Sequence, residues 1–245
     1  MSKPQIKFWC KDLENKQKSK SGKKRWLLLI DAAVSLIIVL LLIILLRHSP
    51  SDYAPEPAFE KQVSPYLTHH ILPEFYNGMQ KRSPFELVIE QKGLNEAIAS
   101  LGWPKIYGNG LIISTPVVYL APQNLRLMAM VNMNSVEMVV TVEIAPRFEE
   151  NGQLSLEVEK VKMGALGVTY IAKKLAKKMY NEQEQSIEPD NIASLALAAI
   201  LADKPFDPVF AVEKERAKVD RVILEKEAAR IHIVPVGKAV NGSRR

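Results

Sequence analysis

The sequence has almost no cysteine, since Cys10 is the single one among 245 residues. A disulfide framework, a cysteine-based metal site and a cysteine nucleophile are therefore excluded for residues 11–245. Cys10 also precedes the long apolar run of the chain, so it is not the acceptor cysteine of a lipoprotein. An incidental exposed thiol is the simpler interpretation, because a reactive thiol needs a specific electropositive environment.

Signatures of the common enzyme classes are missing as well. The sequence has no G-x-S-x-G, no Walker A motif, no H-E-x-x-H and no G-x-G-x-x-G after a strand. His69, His70 and Glu74 are the one cluster of metal-ligand types, but zinc takes at least three protein ligands and Pro73 interrupts the helical spacing. We interpret these residues as polar positions on a packed helix. The sequence thus predicts no catalytic residues, no metal site and no cofactor, and hence no enzyme.

The net charge of +6 is concentrated at the N-terminus. Residues 1–25 contain nine lysines and arginines against Asp12 and Glu14, whereas residues 47–245 are neutral. A basic protein often binds nucleic acid. Here the excess charge lies beside an apolar run, so we expect a membrane and no nucleic acid as the partner.

One long apolar run, Trp26–Leu46, reads WLLLIDAAVSLIIVLLLIILL. About 20 such residues form a helix that spans the hydrocarbon core of a bilayer. Asp31 is its only charge and lies about one turn inside. It reaches toward the headgroups or the preceding lysines, or it is a functional intramembrane carboxylate. The predicted anchor is therefore bounded by Trp26 and Leu46 and contains Asp31.

The charges flanking the run predict its orientation. Lys23, Lys24 and Arg25 precede it and only Arg47 and His48 follow. Positive residues stay in the cytoplasm, so we expect a single-pass protein of the cytoplasmic (inner) membrane with an extracytoplasmic domain. A cleaved signal peptide is the alternative, but its apolar region is shorter and is followed by a small-x-small site that is missing here.

The pattern after the run predicts one α+β domain behind a linker rich in proline and polar residues. Ser64 and Pro65 mark a helix start, and four successive apolar stretches separated by turn residues predict an antiparallel meander. The predicted organisation is a cytoplasmic tail (1–25), an anchor (26–46), a linker (47–64), an extracytoplasmic domain (65–237) and a disordered tail (238–245). The predicted strands are Phe85–Gln91, Leu111–Leu120, Asn124–Met133, Val136–Phe148, Gln153–Met163, Val219–Glu225 and Arg230–Val236, and the predicted helices are Gly93–Leu101, Val168–Met179 and Pro189–Ala202.

The two central strands of this meander are apolar on both faces. A sheet with one solvated face alternates more cleanly, so we expect cover on both sides. Five of the eight methionines lie between residues 128 and 163, and methionine adapts to irregular apolar partners, including bound ligands. The pattern fits an apolar groove and equally a core sealed by the two later helices. The residues predicted to line a groove are Leu127, Ala129, Val131, Met138, Val140, Val142, Ile171, Leu175, Met179, Leu195 and Ala199.

The order of these elements resembles a known family. A strand and an L-N-x-x-I helix (Phe85–Gln91, Leu94–Ile98) precede a strand with a Pro-Val pair (Thr115–Leu120). Long antiparallel strands, a G-x-L start (Gly152–Leu154) and a terminal Gly164 follow. This resembles bacterial envelope proteins of the YpmS and LmeA types over about Phe85–Tyr180, and more loosely over Val219–Val236. The resemblance implies a TULIP-like lipid-binding domain, in which a curved sheet wraps helices around an apolar groove, and it implies no catalytic residues.

We expect the exported domain to be a binding module that holds a lipid or another apolar ligand between its sheet and helices. Lys173, Lys174, Lys177 and Lys178 share one side of a predicted helix, where they face either solvent or anionic headgroups. The alternative is a structural or assembly protein of the cell envelope with a solid core and protein partners.

Overall fold

The computed structural model describes residues 6–57, 63–107, 110–133, 135–183, 192–212 and 215–238. The chain divides into two compact units, residues 1–46 and residues 47–245. The first unit consists of helix α1, Ile6–Arg47. The predicted disordered tail lies outside the described residues except for Lys238, as do residues 58–62 of the predicted linker and the helix start at Pro189–Asp190.

Helix α1 extends well beyond the predicted anchor, because residues 6–25 of the predicted tail are helical too. Lysine, glutamate, glutamine and leucine are good helix formers, and no proline occurs between Gln5 and Arg47 to end the helix. Its C-terminal part, Trp26–Arg47, is 22 residues long, and within the described ranges it is the one helix long and apolar enough to span a membrane. Membrane anchors and signal sequences share this length and composition.

The second unit confirms the predicted α+β class. A π-helical turn, Leu67–Ile71, leads into α2 (Leu72–Gln80), and the later helices are α3 (Gln91–Ala99), α4 (Thr169–Gln183) and α5 (Ile192–Ala202). The strands are β1 (Phe85–Glu90), β2 (Lys105–Tyr107), β3 (Leu111–Ile113), β4 (Val117–Ala121), β5 (Asn124–Met133), β6 (Val136–Phe148), β7 (Leu154–Met163), β8 (Leu166–Gly167), β9 (Val209–Val212), β10 (Glu215–Glu225) and β11 (Ala228–Lys238).

The strands form two antiparallel sheets where the sequence predicted one. Sheet A has the order β1-β11-β10-β9, and sheet B has the order β2-β3-β5-β6-β7-β8 with β4 also paired to β5. The predicted meander is sheet B. Sheet A unites the strand before α3 with the two C-terminal strands, a pairing of distant segments that local patterns do not reveal.

Helix α2 covers sheet A with large side chains. Phe75 and Met79 are buried against Leu87, Ala217 and Ile233, one from each of three neighbouring strands. A methyl group on Gly78 would approach the ring of Phe85 to 2.4 Å, so glycine allows the ring to pack directly on the helix backbone. Aromatic packing of this kind fills the space between helix and sheet.

Helix α3 joins the two sheets through its polar side chains. The amide of Asn95 accepts a hydrogen bond from Val118 N at 2.7 Å and donates one to Val118 O at 2.9 Å. Gln91 Oε1 accepts from Leu120 N at 2.7 Å, and Leu120 O accepts from Glu227 N in the β10–β11 turn. These bonds satisfy the edge of β4 that faces away from β5, which protects an otherwise unpaired strand edge.

Pro116 divides the predicted strand Leu111–Leu120 into β3 and β4, because it has no N–H to donate to the ladder with β5. The hydroxyl of Tyr53 fills the resulting gap. It accepts a hydrogen bond from Met130 N and donates one to Thr115 O, each at 3.1 Å. Burial raises the pKa of the Tyr53 phenol, and the bond from Met130 opposes that rise.

The predicted linker is therefore attached to sheet B at two consecutive residues. Beside Tyr53, the carboxylate of Asp52 lies 2.7 Å from the guanidinium of Arg126, and the hydroxyl of Tyr119 donates to the carbonyl of Asp52. These contacts hold two residues of the predicted linker against the sheet. Proline and polar composition did not reveal it, since the docking depends on a gap opened by Pro116.

Candidate apolar binding cleft

Sheet B presents one continuous apolar face, as the sequence predicted. In the β5–β6 register Leu127 lies opposite Val142, Ala129 opposite Val140 and Val131 opposite Met138, so these six side chains share a face. The other face is covered too, since Met128 and Val139 are almost completely buried. The prediction that the central strands are covered on both sides is confirmed at these positions.

Helices α4 and α5 pack on the β6–β7 part of this face. Ile144, Val158 and Val161 form the buried cluster of the sheet, and half-buried side chains from both helices, including Ala172 and Ile200, pack against it. The hydroxyl of Thr169 accepts a hydrogen bond from Val161 N at 2.9 Å, which fixes the start of α4 on β7. The helices thus lie where the sequence placed a sheet–helix groove.

A cleft of about 330 Å³ lies between the sheet and the two helices. Most of the side chains around it are apolar, and the charged ones are Lys173, Lys177 and Asp203. The apolar side chains are Val142, Val158, Val161, Ala172, Ala176, Ile200, Leu201 and Ala202. Ligand pockets are typically about 300–1,000 Å³ and mostly apolar with a few polar groups, so this cleft is at the small end of that class.

The cleft exists because α4 faces the sheet with alanines. Ala172 and Ala176 are half-buried and one turn apart, and α4 approaches β7 to within 8 Å between Cα atoms. Methyl groups allow that approach but do not fill the space beside it. Lys173 and Lys177 line the cleft and are exposed, as is usual for side chains that combine an apolar stem with a charged head.

The structure corrects the predicted helical half of the groove. Of the predicted residues only Val142 lines the cleft. Ile171, Leu175 and Met179, predicted to face the sheet, are exposed by 67%, 57% and 43%. Ile171 and Leu175 each lie one residue, or about 100° around the helix, from Ala172 and Ala176, which mark the buried side. The prediction followed the largest apolar residues, whereas the smallest ones face the sheet.

The other predicted groove residues are distributed over two cores. Leu127 packs against Val118, Leu120 and Ala229, while Ala129, Val131 and Val140 are half-buried on the same sheet face and Met138 is buried. On α5 only Ala199 is buried among the described side chains, Leu195 is half-buried and Leu197 is 57% exposed. Leu197 is therefore exposed although this helix is apolar nearly all round.

The predicted anchor residues lie on α1, where Trp26 and Asp31 are exposed and Leu46 is half-exposed. Val158 and Val161 on β7 line the cleft, although the residue pattern did not predict them there. Their spacing of three does not fit strand alternation. A register shift at Glu143/Ile144 in the β6–β7 pairing accounts for it, because the shift brings both side chains to one face.

Two polar cavities lie elsewhere in the second unit. One of about 490 Å³ is lined by Glu56, Glu90, Lys92 and Glu227, among others. The second, of about 240 Å³, contains the buried hydroxyl of Thr141 and the ion pair between Arg126 and Asp52. Both are too polar for an acyl chain.

Next to His69 and Glu74, the ring of His70 stacks on Tyr66 with a centroid distance of 5.7 Å. Burial raises the pKa of Tyr66, whose hydroxyl accepts a hydrogen bond from Glu90 N at 2.8 Å. Across the described residues there is no group of three or more His, Cys, Asp or Glu side chains placed to hold a metal.

No protein-family model matches the chain, and no curated protein is similar to it at a significant level. The proposed function therefore rests on the cleft, the apolar part of α1 and the basic residues near each of them.

Proposed function

We propose that the chain is a single-pass protein of the cytoplasmic membrane whose extracytoplasmic domain binds a lipid or another apolar molecule. The apolar part of α1, Trp26–Arg47, supports the anchor, and the lysines and arginine of residues 23–25 support a cytoplasmic N-terminus. In this proposal the chain has no catalytic role and resembles the YpmS and LmeA types in architecture.

The observation that carries the binding proposal is the cleft between β6–β7 and α4–α5. A solid interface there would favour the structural alternative, whereas the helices leave an apolar space of about 330 Å³. A methylene group occupies about as much room as a water molecule, roughly 30 Å³. The cleft therefore has room for a single acyl chain of about eleven methylenes, and not for a complete phospholipid.

Energetics limit how tightly such a chain binds. Burial of about eleven methylenes contributes on the order of 9 kcal/mol at about 0.8 kcal/mol each. Association costs at least about 4 kcal/mol in lost freedom of motion. We expect weak, reversible binding in which an anionic headgroup gains from Lys173 and Lys177 at the rim. Reversible binding suits a protein that passes or senses a membrane lipid.

A photoactivatable diazirine fatty acid incubated with the full chain tests this. We expect cross-links in the β7 and α5 peptides as well as in α1. Ala176→Leu fills the cleft and should reduce the β7 and α5 cross-links several-fold, while Ala211→Leu, at an exposed position on β9, should leave them unchanged.

Cross-links confined to α1 would contradict the binding proposal. In that case the alternative remains, a structural or assembly protein of the envelope that contacts protein partners.

A further inference from the structure

The side of α4 that faces away from the sheet is apolar and basic, and we refer to it as the outer face. Its apolar stripe is Ile171, Leu175 and Met179, which are four residues apart and so lie nearly above one another on the helix. Each is more than two-fifths exposed, and Tyr170 at the first turn is 80% exposed. Large apolar side chains in such a row usually mark a surface that contacts something apolar.

Lysines border this stripe. Lys174 and Lys178 follow Ile171 by three and by seven residues and therefore flank the stripe on its open side, while Lys173 and Lys177 lie toward the cleft. The acidic residues of this region, from Glu182 onward in the sequence, begin beyond Met179. The first three turns of α4 thus combine an apolar stripe with four positive charges.

The position of α4 in the second unit adds a second argument. His48 and Pro50, which directly follow the apolar helix in the chain, line the 240 Å³ cavity together with Gly164 and Ala165. Gly164 and Ala165 form the β7–β8 turn, and α4 begins at Thr169, four residues later. The first residues of the second unit therefore lie beside the turn that leads into α4.

We propose that the outer face of α4 lies on the surface of a bilayer containing anionic lipid. Helices that rest in the headgroup region have apolar side chains on one side and lysines beside them, whose charges interact with the lipid phosphates. Simple exposure to water would account for the lysines but not for the exposed apolar stripe. A protein partner explains the stripe, but the flanking lysines favour an extended negative surface. This inference goes beyond the cleft proposal and does not require an occupied cleft.

The test places an NBD fluorophore on the outer face. The full chain with Cys10→Ser is reconstituted in phosphatidylcholine nanodiscs with or without phosphatidylglycerol. The label is attached at Ile171→Cys, at Leu175→Cys or at Ile106→Cys. Ile106 on β2 is the matched control, because it is 75% exposed against 67% for Ile171. Exposed cysteines of this kind leave the fold intact.

We expect blue-shifted emission and quenching by doxyl-labelled lipid at positions 171 and 175 in anionic discs, and neither at position 106. The double change Lys174→Glu and Lys178→Glu should reduce the quenching several-fold, as should high salt, while Lys81→Glu with Lys92→Glu should not. Quenching at 171 and 175 no greater than at 106 would overturn the proposal, and so would equal quenching in discs without phosphatidylglycerol.

The same samples separate this inference from the cleft proposal. Diazirine cross-links in β7 and α5 report on the cleft, and NBD quenching reports on the outer face. Quenching without cross-links removes the cleft proposal alone, and cross-links without quenching remove the inference about the outer face alone.

Discussion

The two sheets of the second unit are covered by helices in opposite ways. On sheet A, α2 turns Phe75 and Met79 inward, and they fill the space above the strands. On sheet B, α4 turns Ala172 and Ala176 inward and leaves its large apolar residues in solvent. Helix α2 is thus part of a filled core. Helix α4 leaves a cleft on the side that faces the sheet and an apolar stripe on its exposed side.

This difference teaches that apolar content alone does not identify a core helix. A helix that used its largest residues for folding would bury Ile171 and Leu175 and would lose the cleft. Natural helices normally bury such residues, since each contributes about 1.5–3 kcal/mol. Their exposure on α4 means that they contribute little to the stability of the fold, in contrast to Phe75 and Met79 on sheet A.

The largest expected effect comes from the sheet A core. Phe75→Ala removes a ring whose centroid lies 5.8 Å from that of Phe210 and 6.1 Å from that of Phe85, and should lower the free energy of unfolding by about 3–5 kcal/mol. Leu175→Ala on α4 should lower it by less than about 0.5 kcal/mol. Urea unfolding of the full chain in detergent, followed by circular dichroism, measures both. Similar losses for the two variants would contradict the comparison.

The loss of stability should be nearly as large when the bonds between α3 and β4 are removed. Asn95→Ala leaves the buried N–H and C=O of Val118 without partners and should cost about 2–4 kcal/mol in the same measurement. Asn95→Asp keeps the acceptor for Val118 N but turns an acceptor oxygen toward Val118 O, so it should destabilise the protein as well. Asn132→Ala, whose amide bonds to Glu137 at the surface, is the control and should be nearly neutral.

Enlarging an alanine in each region should have opposite effects. Ala217 is 1% exposed in the sheet A core, so Ala217→Leu should destabilise the protein by about 1–3 kcal/mol through overpacking. Ala176→Leu enters the cleft and should change stability by no more than about 1 kcal/mol, in the stabilising direction. A large loss of stability for Ala176→Leu in thermal unfolding would show that the cleft is not free space.

We expect the smallest change in stability from an ion pair on the surface of sheet A. The guanidinium of Arg230, 2.8 Å from Glu86, holds the pKa of that carboxyl below its ordinary value of 4.5, and His232 adds to this from 3.1 Å. The ionised carboxylate therefore stabilises the fold at neutral pH, and this contribution disappears as the pH falls below 4.5 through the lower folded-state pKa. Unfolding of the wild type and of Glu86→Gln should differ slightly at neutral pH and converge in acid.

Much of the fold could be predicted from the residue pattern. The bounds of β5 and β6 are those predicted, because turn residues separate two long alternating runs. The N-cap at Ser64 is confirmed by the bond from Leu67 N to its hydroxyl at 3.4 Å and by Thr68 N to its carbonyl. Local pattern was sufficient where the determining interactions lie within a few residues of each other.

For the candidate site, the sequence predicted the location but not most of the lining residues. The sheet face and the pair of helices are as expected, but which side of α4 meets the sheet depends on how closely helix and strands approach. That distance is set by contacts between segments far apart in the chain. Hydropathy patterns rank leucine above alanine, so they pointed to the outer face instead of the cleft.

The attachment of Asp52 and Tyr53 has a mechanical consequence. Any tension transmitted along the chain from α1 reaches the folded unit first at these two residues, where it acts on two hydrogen bonds of the Tyr53 hydroxyl and on the ion pair with Arg126. The force is therefore delivered to the middle of sheet B, at the gap beside Pro116, before it can reach α2. A pull on α1 would therefore act on β5, the direct neighbour of the cleft strand β6.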